Sequence, residues 1–126
     1  MRAVDTNILV RLVTRDDVHQ VAAAEAFVES GAWVSILCLA EAIWVLARVY
    51  GHSARELADV IAMLRKHDRL VLEEPDIVAA ALKLFRERPG LGFSDCLILE
   101  LARKAGYLPL GTFDRALAKA DGAQRI

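Results

Sequence analysis

Four carboxylates of this chain stand alone in apolar or small-residue stretches. They are Asp5, Glu41, Asp95 and Asp114. A carboxylate is costly to remove from water unless another group pairs with it. The sequence offers no equally isolated Lys or Arg for each of the four. The simplest explanation is that the four acids meet in space and a divalent cation neutralises them, which predicts a metal-dependent enzyme.

Three of these acids also have a simpler explanation as helix caps. Asp5, Asp95 and Asp114 fall at or near predicted helix starts, where a carboxylate can accept hydrogen bonds from free backbone amides. Glu41 has no such explanation, because it lies in the middle of a long apolar helix. Arg48, seven residues away, is poorly placed to pair with it. The joint pattern therefore favours a metal site over separate caps.

The chemistry of the four acids points to a hard cation. Oxygen ligands suit Mg²⁺ or Mn²⁺, and one or two such ions can activate a water and stabilise charge during phosphodiester hydrolysis. His19, His52 and His67 lie outside the acidic segments, so a zinc site is not expected. There is also no Gly-rich phosphate loop and no Gly-x-Ser-x-Gly motif. The predicted cofactor is Mg²⁺ or Mn²⁺.

Composition limits the class of protein. The 126 residues are 56% hydrophobic, which suits a single domain over residues 1–126. A net charge of −1 excludes nucleic-acid binding by bulk positive charge. Cys38 and Cys96 lie in apolar contexts and are predicted to be free, buried thiols of a cytoplasmic protein. Asp5 interrupts the N-terminus too early for a signal peptide, and Glu41 argues against a membrane span over 32–50.

Short apolar strands alternate with helical segments along the chain. Strands are predicted at Met1–Val4, Ala32–Ser35, Arg69–Leu72, Tyr107–Gly111 and Gln124–Ile126. Helices are predicted at Thr6–Val13, Val18–Glu29, Ile36–Tyr50 and Ser53–His67, from Pro75 onward, from a Ser94 cap to Gly106, and from Asp114 to about Ala120. This alternation predicts a parallel sheet covered on both faces, with a site beyond the carboxyl ends of its strands.

In combination, the acidic segments resemble a known family. Asp5-Thr6-Asn7, the Glu41 helix, Asp95-Cys96-Leu97-Ile98 and Thr112-Phe113-Asp114 resemble the acidic signature of PIN-domain ribonucleases, and the resemblance covers essentially the whole chain. The segments 5–11 and 112–118 are similar to the small VapC-type toxins. The resemblance implies an α/β fold, a three-layer α/β/α sandwich with a central parallel sheet of four to five strands.

The resemblance also implies a function. It implies a metal-dependent endoribonuclease that hydrolyses RNA as the toxin of a toxin–antitoxin pair, usually as a homodimer held in check by a VapB-like antitoxin. The positions that match the family's motifs are Asp5, Glu41, Asp95 and Asp114 as catalytic residues and metal ligands, with Asn7 and Thr112 as polar supports.

Several residues outside the four acids also have predicted roles. Arg115 is the best candidate for an RNA phosphate contact, since it follows Asp114; Arg11, Arg15 and Arg48 are weaker candidates. Trp33 and Trp44 are predicted to lie in the core or an interface rather than to stack on bases. The pairs Asp16-Asp17 and Glu73-Glu74 are interpreted as solvated loop charges. Apolar helices at 18–29, 36–50 and 53–67 offer more surface than a small sheet covers, which favours a homodimer or a bound antitoxin.

Two alternative functions remain open at this point. A housekeeping nuclease of the same fold would carry the same acids, so the sequence does not separate it from a toxin. A receiver-type signalling domain needs a phospho-acceptor Asp at the end of the third strand and a Lys after a later strand. Here the third strand is followed by Glu73-Glu74-Pro75 and the later strand by Thr112-Phe113-Asp114, which disfavours that alternative.

Overall fold

The protein is described by a computed structural model that covers residues 1–126. The helices are α1 (Thr6–Thr14), α2 (Val18–Val28), α3 (Ile36–Arg48), α4 (Ala54–Lys66), α5 (Pro75–Glu87) and α6 (Phe93–Ala105). The strands are β1 (Arg2–Ala3), β2 (Ala32–Val34), β3 (Leu70–Leu72), β4 (Leu110–Thr112) and β5 (Ala123–Arg125), and a 3₁₀ turn spans Leu117–Lys119. No helix combines the length and the apolar character that a membrane span requires.

The chain forms two compact units, Met1–Pro75 and Asp76–Ile126. The first contains a three-stranded parallel sheet in the order β1-β2-β3, and the second contains the parallel pair β4-β5. This confirms the predicted α/β class with parallel strands. The five predicted strands are all present, but they are divided between two sheets instead of forming one.

In the first unit, one face of the three-stranded sheet is buried. Ala32 and Val34 are buried on that face, whereas Trp33 between them is 37% exposed. Helix α1 packs against both α2 and α3, and the buried centre is Leu9, Leu39, Leu46 and Ile61. The core positions of α3 and α4 recur at helical spacing, whereas the buried residues of α1 are the adjacent Leu9 and Val10.

The second unit differs from expectation in two places. The final helix is only the 3₁₀ turn at Leu117–Lys119. Helix α6 begins at Phe93 with Gly92 as its N-cap, so Ser94 lies inside the helix and does not cap it. The apolar spacing of this helix predicts that Ile98 and Leu101 face inward with Leu97, yet both side chains are exposed. The buried face of α6 is instead formed by Phe93, Cys96, Leu97 and Leu99. Apolar residues surround this helix on several sides, so periodicity alone did not identify the face that packs.

Candidate functional site

Asp5 links β1 to α1. It is the N-cap of α1, with extended backbone (φ −99°, ψ −178°), and its Oδ1 accepts a hydrogen bond of 3.2 Å from the amide of Ile8. Asp5 is exposed and its Oδ2 makes no hydrogen bond. The capping role is therefore real, yet it uses one carboxylate oxygen and leaves the second free to act as a ligand.

Glu41 lies on the solvent side of α3. The buried positions of this helix are on its opposite side, so Glu41 is exposed to solvent, although its helical neighbours Leu37 and Trp44 are apolar. Its carboxylate makes no hydrogen bond or ion pair. It makes no ion pair with Arg48, whose guanidinium lies 5.9 Å from the ring centroid of Trp44. Glu41 therefore has no structural partner that would explain its presence.

Cys38 shows that Asp5 and Glu41 lie in the same neighbourhood of the first unit. Burial raises the pKa of the Cys38 thiol, and the negative charges of Asp5 and Glu41 raise it further, while a hydrogen bond with Thr6 lowers it. Two acids 36 residues apart in sequence thus act on one buried thiol. Cys38 and Cys96 are both free and buried, as predicted.

The start of α3 is held by two side chains. The amide of Cys38 donates to Ser35 Oγ at 3.0 Å, and the amide of Ile36 donates to Glu73 Oε1 at 2.8 Å. Glu73 follows β3, so a residue 37 positions away satisfies a free amide at the helix N-terminus. Glu73 is therefore a structural cap and not the solvated loop charge that the sequence suggested.

Asp95 and Asp114 form the corresponding pair of the second unit. Asp95 lies in the first turn of α6 and is partly buried. Burial raises the pKa of its carboxyl group, and the charge of Asp114 raises it further. Asp95 makes no ion pair or hydrogen bond that would offset this repulsion. Two carboxylates kept close without a protein cation are a candidate cation site.

A turn after β4 fixes the backbone around Asp114. The amide of Asp114 donates to Thr112 Oγ1 at 3.0 Å. Asp114 Oδ1 accepts from the amides of Ala116 (2.8 Å) and Leu117 (3.0 Å). As at Asp5, one oxygen caps a turn and the other makes no hydrogen bond. Thr112 contacts the Asp114 backbone directly, whereas Asn7 is exposed and its side chain makes no hydrogen bond.

Of the candidate arginines, three have partners within the protein. Arg11 donates to Asp16 Oδ1 (3.1 Å), to the hydroxyl of Tyr50 (3.0 Å) and to Gln20. Arg15 pairs with Glu25 at 2.6 Å, and Arg48 lies over Trp44. Arg115 is exposed and makes no hydrogen bond or ion pair. Arg115 is therefore the candidate arginine that is free to contact a phosphate.

The pair Asp16-Asp17, interpreted from sequence as solvated charge, has structural roles. Asp16 accepts from Thr14 Oγ1 at 2.9 Å and from Arg11. The Thr14 hydrogen bond, followed by the charge of Arg11, lowers the pKa of Asp16. Asp17 is the N-cap of α2, where its Oδ1 accepts from the amide of Gln20 at 3.0 Å. Asp16 also accepts from the hydroxyl of Tyr50 at 3.3 Å, so these contacts join α1 to the start of α2 and to the second residue after α3.

The acids fit a hard divalent cation in the type of ligand that they offer. Of the four candidate acids, Asp5 and Glu41 belong to the first unit, and Asp95 and Asp114 belong to the second. Mg²⁺ commonly binds one or two carboxylates while it keeps several waters. No group of three or more His, Cys, Asp or Glu side chains is arranged to hold a metal ion. Two histidines contact backbone groups instead. His52 Nδ1 lies 3.2 Å from the carbonyl of Leu46, and His67 Nδ1 accepts a hydrogen bond from the amide of Arg69.

Comparison with known proteins identifies the family. The profile of the PIN domain matches residues 2–123, nearly the whole chain and both compact units. No curated protein matches the sequence. PIN domains are a nuclease-type fold, their nucleases act on RNA or DNA, and they typically use divalent metals such as Mg²⁺. The family supports a hydrolase in general and excludes the receiver-type alternative. The chain belongs to the PIN-domain family.

Proposed function

We propose that this protein is a metal-dependent endoribonuclease that acts in the cytoplasm as the toxin of a toxin–antitoxin pair. The observation that carries the proposal is the pair Asp95 and Asp114, two carboxylates that repel each other in the absence of a protein cation. A stable fold tolerates such repulsion when a bound cation offsets it. The sequence resemblance adds Asp5 and Glu41 as the other members of the acidic set.

The proposed chemistry is hydrolysis of an RNA phosphodiester. One or two Mg²⁺ or Mn²⁺ ions would supply water activation and charge stabilisation at the phosphate. The four acids would serve as the catalytic residues and metal ligands; Asp5 and Asp114 would each use the oxygen that does not cap a backbone turn. Thr112 would support Asp114 by holding its amide. Asn7, exposed beside Asp5, would orient a water through its amide group.

Arg115 is proposed as an RNA contact. It follows Asp114, is exposed and lacks an acidic partner, so its guanidinium can pair with a phosphate. Arg115→Ala should weaken RNA binding and reduce its dependence on salt concentration, because one phosphate contact is lost. Unchanged affinity and unchanged salt dependence would contradict this role.

The antitoxin is proposed to bind the groove between α1, α2 and α4. This groove has a volume of about 780 Å³, and Leu12, Val13, Ala26 and Met63 contribute apolar side chains to it. An amphipathic helix is the usual occupant of such a groove. The product of a small neighbouring gene should therefore inhibit cleavage by the wild type. Ala26→Glu should escape this inhibition and retain activity.

The homodimer is proposed to use the exposed side of α6. Ile98 and Leu101 are 49% and 37% exposed, and Ser94 and Ala105 continue the uncharged stripe at helical spacing. A second copy would cover these side chains. Light scattering should show a dimer for the wild type and a monomer for Ile98→Asp. A monodisperse wild-type monomer at high concentration would contradict the homodimer.

A housekeeping nuclease of the same fold is the alternative, and the two functions predict different dependence on a partner. A toxin should arrest growth when it is expressed alone, and the product of a small adjacent gene should relieve the arrest. A processing nuclease should be tolerated without a partner.

The central test is cleavage of a total RNA pool in which tRNA and ribosomal RNA are resolved. Wild type and Asp5→Asn should be compared with Mn²⁺ and with chelator. Asn is also a good N-cap, so this variant should keep α1 intact. Discrete fragments that require both Mn²⁺ and Asp5 would support the proposal. Fragments produced equally by Asp5→Asn, or in the presence of chelator, would contradict it.

A further inference from the structure

Phe113 is an unusual neighbour for a candidate catalytic acid. Its side chain is 79% exposed, although it lies between Thr112 and Asp114 in a turn with extensive hydrogen bonding. An exposed Phe contributes nothing to the core of its own chain and leaves its ring in water. The structure therefore gives this ring no folding role.

The turn holds Phe113 in a fixed place. The carbonyl of Thr112 accepts from the amide of Ile126 at 3.1 Å, and Thr112 Oγ1 accepts from the amide of Asp114 at 3.0 Å. The Asp114 carboxylate then accepts from two amides that follow it. Because the residues on both sides of Phe113 are hydrogen-bonded, the exposed ring is attached to a rigid backbone and loses little freedom when a ligand covers it.

The ring of Phe113 is attached next to one member of the Asp95–Asp114 pair. Consecutive Cα atoms are about 3.8 Å apart, so the ring is attached next to Asp114, whose charge acts on Asp95. On the other side of Asp114, the exposed guanidinium of Arg115 is free to meet a phosphate. An aromatic face, a carboxylate and a guanidinium thus occur at consecutive positions of one turn. A nucleotide presents a base, a scissile phosphate ester and a second phosphate in similarly close succession.

We propose that Phe113 is a substrate-binding residue that stacks on an unpaired base of the RNA and so places the adjacent phosphodiester at Asp114. This inference rests on the proposed ribonuclease function and makes it more specific, because a base must leave its helix to stack on a side chain. Stacking on a side chain requires an unpaired base, so the binding test uses single-stranded probes.

The test measures binding in chelator, where the proposed metal-dependent cleavage cannot occur. Two probes have the same number of phosphates: a uridine oligomer of about 12 nucleotides and an abasic ribose-phosphate oligomer of the same length. Uridine is chosen because it stacks weakly on itself and leaves its bases available. The variants are Phe113→Ala, Phe113→Trp and, as the matched control, Tyr107→Ala.

Tyr107 is a suitable control because it is equally exposed, at 80%, but occupies a different place. It follows the C-terminal end of α6, whereas Asp95 lies in the first turn of that helix. The helix rises about 15 Å from Asp95 to its last residue, Ala105, and Tyr107 lies beyond that end. Phe113→Ala should weaken binding of the uridine oligomer by about 5- to 150-fold and leave the abasic oligomer unaffected. Phe113→Trp should retain binding, and Tyr107→Ala should bind both probes as the wild type does.

The outcomes separate the two proposals. If the wild type cleaves RNA but Phe113→Ala binds the uridine oligomer normally, or loses both probes equally, stacking is wrong and the ribonuclease proposal stands. If the wild type neither cleaves RNA nor binds either probe, the ribonuclease proposal fails and the stacking role fails with it. Circular dichroism of each variant confirms that loss of binding is not loss of folding.

Discussion

Asp95 and Asp114 lie close enough in the second unit for the charge of Asp114 to raise the pKa of Asp95, in addition to the effect of burial. A carboxyl group whose pKa is raised on folding destabilises the native state as the pH rises through that pKa, since the folded protein favours the protonated form. At neutral pH the pair therefore costs stability unless a cation is bound.

The first prediction is that Asp95→Asn removes both the repulsion and the metal response. Without metal at neutral pH, the variant should melt at a higher temperature than the wild type. Mg²⁺ or Mn²⁺ should stabilise the wild type, by about 2.7 kcal/mol at a hundredfold excess over its Kd, and leave the variant unchanged. Differential scanning fluorimetry measures both effects. The control is Asp121→Asn, an exposed acid of the same unit, which should respond to metal as the wild type does.

Equal metal-induced shifts in Asp95→Asn and the wild type would show that the ion binds elsewhere. A lower melting temperature of the metal-free variant would show that Asp95 stabilises the fold through a contact that outweighs its repulsion. Either result would remove the physical basis of the proposed site.

The second prediction is that Glu41→Gln loses activity without losing stability. Glu41 is exposed and makes no hydrogen bond or ion pair, so its unfolding free energy should stay within about 0.5 kcal/mol of the wild type. Loss of an outer-shell partner typically costs 10- to 100-fold, so loss of a proposed metal ligand should lower RNA cleavage by at least about 100-fold. Cleavage assays and urea unfolding measure the two quantities. The exposed loop residue Asp68, changed to Asn, is the control for both.

Much of the fold follows from sequence because the signals are local. Pro75 at the start of α5, the Ser53–Glu56 capping box of α4 and left-handed Gly106 after α6 all act within a turn of their own residue. The four isolated acids likewise stood out because each differs from its immediate neighbours. Where the nearest residues determine the outcome, the predicted elements agree with the structure to within a few residues.

The remaining features depend on contacts that are distant in sequence. Glu73 caps α3 across 37 positions, and Arg11 meets Tyr50 across 39, so neither role could be found from sequence spacing. The buried face of α6 was missed because apolar residues occur on both sides of that helix. The division of the strands into two sheets was also missed, since pattern alone does not determine which short strands pair.

The third prediction concerns the long-range cap of α3, the helix that carries Glu41. Glu73→Ala removes the acceptor for the amide of Ile36 and should cost about 1 kcal/mol, the usual cost of losing an N-cap. Glu73→Gln keeps an oxygen acceptor and should cost less. Urea unfolding midpoints test the difference. If both variants were as stable as the wild type, the hydrogen bond would not matter in solution; equal losses would indicate that charge rather than acceptor geometry stabilises the helix start.

The fourth prediction is a dependence of stability on pH from the capping box of α4. The backbone amide of Ser53 donates to Glu56 Oε1 at 2.8 Å, and this bond, together with the Ser53 side chain, lowers the pKa of Glu56. A lowered folded pKa means that the stabilisation is present above the ordinary carboxyl pKa and is lost as the pH falls through the folded pKa. Between about pH 7 and about pH 3, Glu56→Gln should therefore lose less stability than the wild type.

Urea midpoints across this pH range provide the measurement for Glu56. The control is Glu87→Gln, an exposed acid in α5 whose side chain makes no hydrogen bond, and it should follow the wild-type curve. Parallel curves for Glu56→Gln and the wild type would mean that the capping box does not contribute to acid denaturation.

The last prediction tests whether the turn at Asp114 positions the proposed catalytic carboxylate. Thr112→Val preserves the shape and β-branching of the side chain but removes the oxygen that accepts from the amide of Asp114. Asp114 should then sample more orientations, and RNA cleavage should fall by about 10- to 100-fold, as for the loss of an outer-shell partner. Thr112→Ser keeps the acceptor and should retain most of the activity. Because the hydrogen bond from Asp114 to Thr112 orients a proposed metal ligand, Thr112→Val should need a higher concentration of Mn²⁺ for half-maximal cleavage. Thr112→Ser should not. An equal loss in both variants would assign Thr112 a packing role instead.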